Sequence, residues 1–103
     1  MYQISFYVPE TGLEKVKNAM FDAGAGRYNN YQQCAWQTIG MGQFKPVNNA
    51  RPAIGLLGEL ETIEEYKVEM ICTNDKLQQA LEAMKTSHPY EEVAYTVIKM
   101  DNQ

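Results

Sequence analysis

The stretch Tyr2-Gln3-Ile4-Ser5-Phe6-Tyr7-Val8-Pro9-Glu10-Thr11-Gly12-Leu13-Glu14 carries a change of period within thirteen residues. Tyr2, Ile4, Phe6 and Val8 alternate with Gln3, Ser5 and Tyr7, the period of a strand with one buried face. Pro9 ends that strand because it cannot donate to a ladder. Thr11 and Glu14 have the spacing of a capping box. Beyond them Leu13, Val16, Met20 and Ala23 recur at helical spacing, among Lys15, Lys17 and Asp22. Gly24 can close the helix in a left-handed conformation. The chain therefore begins strand, then helix.

The same change recurs near the other end. Tyr66, Val68, Met70 and Cys72 alternate with Lys67, Glu69 and Ile71, which predicts a strand. Thr73 or Asn74 caps a helix whose buried stripe is Leu77, Ala80, Leu81 and Met84. The helix must stop before His88-Pro89, since a residue preceding proline avoids helical dihedrals. A last strand follows over about 94–100, with either Tyr95 and Val97 or Ala94, Ile98 and Met100 facing inward. The tail, 101–103, is polar and expected to fray.

Between the two units lies a Gly- and Asn-rich loop, 24–30. From Tyr31 a period of two returns, with Cys34, Trp36 and Thr38 on one face, and Gly40-Met41-Gly42-Gln43-Phe44-Lys45-Pro46 interrupts it. The segment 47–58 reads mostly as loop, long for a compact domain and so a candidate for function. The order strand, helix, strand, strand, helix, strand predicts an α+β ferredoxin-like βαββαβ sandwich, a four-stranded antiparallel sheet with two helices on one face. The other face would carry Tyr7, Ala35, Ile39 and Ile71. A half-apolar open face points to packing against a second subunit.

Composition agrees with one globular domain over residues 1–103. Hydrophobic residues make up 45% and charged residues 21%, and a chain of this length buries roughly two thirds of its unfolded surface. A net charge of -4 and a pI near 4.9 argue against a nucleic-acid partner. No stretch approaches the roughly 18 apolar residues of a membrane span, and no leader pattern opens the sequence, so a soluble cytoplasmic protein is expected. Cys34 and Cys72 are too few for a disulfide framework; they read as buried thiols, or one of them as a metal ligand.

The most specific string is Ser87-His88-Pro89-Tyr90-Glu91-Glu92-Val93-Ala94-Tyr95. A helix end followed by His-Pro-Tyr-Glu resembles the last crossover of the CutA family, ferredoxin-like proteins related in shape to the PII signalling proteins. The longer string is closer to the insert domain of YqfO-type proteins of the Nif-three-like family. Three further stretches share that likeness: 24–31 with Cys34, Gly40 to Pro46, and Gly55 to Glu61. Together they extend it over about residues 2–100. In the larger YqfO-type proteins the resemblance places a two-metal site in flanking halves, so what is expected here is the insert as a free-standing protein. It further implies a homo-oligomer, with a trimer favoured over a dimer, and ligand or metal sites at clefts between subunits.

Candidate site residues fall in two groups. His88, the single histidine, with Glu91, Glu92 and Cys34 offers nitrogen, oxygen and sulfur ligands suited to a divalent metal, zinc or copper. The alternative is a histidine packed at the helix end and donating to a backbone carbonyl. Arg27, Lys45 and Arg51 stand near loop glycines and could hold an anion; ordinary solvated charge is the alternative. Neither group makes a catalytic set, because Glu91 and Glu92 are adjacent and no nucleophile–base pair is visible. The expectation is a binding or sensor module for a small ligand or divalent metal rather than an enzyme, with a structural module that docks on a protein partner as the alternative.

Overall fold

The computed structural model describes residues 1–101; the last two residues of the tail lie outside it. β1 (Tyr2–Val8) leads into α1 (Glu10–Asp22), then β2 (Trp36–Phe44) and β3 (Glu61–Cys72). A single 3-10 turn (Asn74–Lys76) opens α2 (Leu77–Ser87), and β4 (Tyr95–Lys99) ends the fold. The four strands form one sheet in the order β2-β3-β1-β4, with every pair antiparallel.

One core joins the helices to one side of the sheet. Ile4, Phe6 and Val8 of β1 and Val68, Met70 and Cys72 of β3 meet Leu13, Val16 and Met20 of α1 and Ala80, Leu81 and Met84 of α2. These are the alternating and helical stripes of the sequence, so burial of apolar area drives the layers together. The inward face of β4 is that of Tyr95 and Val97: Val97 stands opposite Ile4 and packs on the core, while the Lys85 ammonium lies 5.1 Å from the Tyr95 ring centre.

Three local expectations are corrected. α1 begins at Glu10, directly after Pro9, with no side-chain cap. Pro9 at φ -70° already has the dihedral a helix entry needs, and its carbonyl accepts from Gly12 N–H at 3.0 Å. Thr11 thus lies inside the first turn and Glu14 pairs with Lys17 instead, at 3.2 Å. β2 starts five residues later than Tyr31 and runs straight through Gly40-Met41-Gly42, because the ladder to β3 outweighs the weak strand preference of glycine. β3 starts at Glu61, so Glu61, Glu64 and Glu65 are strand residues.

The longer hairpin changes the shape. β1 pairs with β3 only from Tyr66 to Cys72, whereas β2 pairs with it from Glu61 to Glu69. Residues 40–44 and 61–65 therefore form a two-stranded arm beyond the body of the sheet, and the molecule measures 46 × 25 × 24 Å. The register also settles the faces. Tyr7 and Ile71 do lie on the open face, as expected. Ile39 stands opposite Tyr66, which packs on the core, so Ile39 is on the helix side, exposed where the helices end. Ala35 precedes the strand.

Candidate functional site

A groove of about 960 Å³ lies where the arm leaves the sheet. Its floor is the open face around Tyr7, Gly40, Gly42 and Lys67, one wall is the 45–54 loop, and the other is Tyr90 to Glu92. That volume is in the range of small-molecule sites and far above what one metal ion fills.

The 88–92 crossover is built on His88. His88 is 7% exposed and is the C-cap of α2, its backbone N–H donating to the Met84 carbonyl at 3.0 Å. Its Nδ1 accepts from Tyr90 N–H at 3.0 Å, so the ring proton sits on Nε2 and is donated to the Tyr7 carbonyl at 2.7 Å. Burial pushes the imidazole below its ordinary value of 6.5, against smaller opposing effects of the Tyr7 carbonyl and the Glu65 charge. The ring is thus a neutral pin between crossover and β1, with Phe6 edge-on at 6.4 Å between ring centres. Pro89 packs on Gly12: a Cβ there would come 2.9 Å from Pro89 Cδ.

Past the pin the crossover reaches two other segments. Tyr90 donates its hydroxyl to Glu65 Oε2 at 2.7 Å. Burial, with the Glu65 carboxylate adding to it, raises that phenol well above the ordinary tyrosine range. The Glu65 carboxylate lies across Gly42, where a Cβ would overlap it; the absence of a side chain at 42 is what gives the carboxylate its place. Glu91 Oε1 accepts from the backbone N–H of Arg51 at 2.9 Å, which fixes the middle of the long loop. The loop closes on itself through Gly58 N–H and the Pro46 carbonyl, 2.7 Å apart.

The expected site residues are thereby sorted. Lys45, Glu91 and Glu92 line the groove, and Arg51 adjoins it through its amide. Arg27 and Cys34 belong elsewhere, since Cys34 N–H bonds the Gly26 carbonyl and Gly26 N–H bonds that of Ile71, toward the opposite end of β3. Arg27 is therefore not grouped with Lys45 and Arg51. The metal set His88, Glu91, Glu92 and Cys34 does not fit a metal within one chain. Both His88 nitrogens are engaged by backbone, Cys34 is remote, and no three metal-ligating side chains converge among the described residues. Of the other groove residues, Tyr7 was expected only on the open face and Gly42 only as a loop glycine, while Glu65 and Lys67 were not expected at the site. Only the pairing register brings these to the crossover; the one signal available was Tyr90 inside the His-Pro-Tyr-Glu string.

The fold is that of a CutA-like, ferredoxin-like domain. CutA1 from Pyrococcus horikoshii superposes with a TM-score of 0.72 at 18% identity, over all of this chain and 86% of that one. The PII-like protein CutA from Nostoc sp. PCC 7120 gives 0.71 at 16%, over 99% and 83%. The sequence itself is homologous to one segment of NIF3-type proteins. A Bacillus cereus protein related to NIF3 gives a TM-score of 0.85 at 39% identity, over 98% of this chain and 26% of that one. The GTP cyclohydrolase 1 type 2 homolog of Halalkalibacterium halodurans is 40% identical over 103 residues, all of this chain and 28% of the relative. That of Bacillus subtilis is 39% identical over 99 residues, 96% and 26%. The chain thus spans about a quarter of the length of these relatives. No protein-family model matches the sequence. Among the described residues no helix is long and apolar enough to cross a membrane.

Proposed function

We propose that the chain is a small-ligand-binding sensor module of the CutA/PII-like type, acting as a homo-oligomer, for which a trimer is our reading. The observation that supports it most is the groove, whose size suits an organic ligand and whose crossover wall is tied to the loop wall through Glu91 and to β3 through Tyr90. Lys45 and Arg51, neither in an ion pair among the described residues, are the groups we assign to an anionic ligand. Association is supported by the open face, where Trp36 is 69% and Ile98 54% exposed. It is supported too by the free edge of β2, nine residues without a charge or a proline. We read the module as a binder rather than a catalyst, because its single histidine is committed to holding the crossover. The activity named for the larger relatives would need the three quarters of their length that this chain does not span.

Native mass spectrometry of the protein as purified, then with zinc, copper or ATP added, tests this reading. A discrete nucleotide mass in register with the subunit number supports it, whereas uptake of zinc or copper without nucleotide would count against an organic ligand. A ligand-free monomer indifferent to all three would overturn it.

A second reading, a docking module for a protein partner, is favoured by one observation: the matching segment in the relatives is part of a larger chain. Ile71→Glu on the open face would then abolish association and leave any ligand response intact.

A further inference from the structure

We infer that the 46–58 loop is a flap over the groove and that Glu91 is its latch, so that the crossover sets access to the site. This deepens the proposed function by naming how the groove opens. The loop holds no helix or strand, and three of its residues have positive φ: Asn48 at 57°, Gly55 at 92° and Gly58 at 79°. Its ends are pinned by the Gly58–Pro46 bond, so motion of the middle need not disturb the arm. Val47, Ala50, Pro52, Ala53 and Ile54 face the groove. The bond that ties this middle to the opposite wall is the one from Arg51 N–H to the Glu91 carboxylate.

The latch is suited to release. Glu91 is exposed, so water can replace the lost bond at small cost. The crossover behind it cannot move as readily, because His88 is pinned to Tyr7 and Pro89 is wedged against Gly12. One side of the contact is thus rigid and the other hinged, the arrangement of a lid that closes on a fixed rim. An anion entering between Lys45 and Arg51 would compete with the Glu91 carboxylate for the same amide.

Hydrogen exchange on the full chain, wild type against Glu91→Ala, tests the latch. Peptides covering 46–58 should exchange about five-fold faster in the variant, with β1, α1 and β3 unchanged. Glu91→Gln, which keeps an acceptor, should fall between the two, and Glu82→Ala on the exposed side of α2 should match wild type. Equal exchange in wild type and Glu91→Ala would overturn the latch, as would a change spread over the whole chain. Stopped-flow binding of the anionic apolar dye 1-anilinonaphthalene-8-sulfonate tests access. Faster association in Glu91→Ala is expected, and an unchanged rate despite a looser flap would refute the gating role. A latch that holds in a protein binding no ligand by mass would leave this inference standing and sink the proposed function instead.

Discussion

Replacing His88 by Gln tests the reading of the crossover most directly. Gln can still donate to the Tyr7 carbonyl, now 2.7 Å from Nε2, but it offers no acceptor where Nδ1 meets Tyr90 N–H at 3.0 Å. A fully buried donor left without a partner costs about 1–3 kcal/mol; the Tyr90 amide is half-buried, so the variant should be less stable by about 1 kcal/mol at pH 7.5. The wild type should also carry a pH dependence that the variant lacks. The folded ring titrates below 6.5 because it is buried. Above pH 6.5 the ring is neutral in both folded and unfolded chains, and its contribution is fully present. As pH falls from 6.5 toward the folded value, unfolded chains take up a proton that folded ones refuse. Stability then drops, by at most about 1.4 kcal/mol per pH unit. Urea titrations of both proteins at fixed concentration, from pH 7.5 to 5.5, measure the difference. Because the chain has one histidine, its ring signals in a carbon–proton spectrum report the folded midpoint without assignment. A folded midpoint at or above 6.5, or equal slopes in the two proteins, would refute this account of the ring.

Two further outcomes are expected. Gly12→Ala gains the better helix former, but its Cβ meets Pro89 Cδ at 2.9 Å and Val8 Cγ2 at 3.2 Å; overpacking against a proline ring costs about 1–3 kcal/mol. Thermal unfolding should therefore show a lower midpoint, where an ordinary helix site would show a higher one. Tyr90→Phe removes the 2.7 Å bond to Glu65 and should cost about 0.5–1.5 kcal/mol in denaturant. The difference in alkaline absorbance titration between wild type and this variant should place the Tyr90 phenol above the ordinary value of 10, as its burial beside a carboxylate requires.

The stripes Ile4-Phe6-Val8, Val68-Met70-Cys72 and Leu77-Ala80-Leu81-Met84 were legible because side-chain direction repeats with a local period, and burial follows that direction wherever the layers meet. The order of elements then left few topologies open, and the His-Pro-Tyr-Glu string marked the crossover on which the site is built. The extent of the β2–β3 hairpin was not legible. Gly40 and Gly42 look like loop residues until a partner strand supplies the ladder, through Glu65 and Ile63. For the same reason Glu65 could not be matched to Tyr90, nor Glu91 to the amide of Arg51. Arg27 and Cys34 looked like members of the site because they are charged or metal-ligating, yet they fold to the far end of β3. Sequence alone determined which faces seek burial and where the chain turns, both local properties of side-chain size and polarity. Register and the meeting of two loops over the sheet at one groove were decided by the tertiary structure, because they depend on pairings between residues distant in the chain.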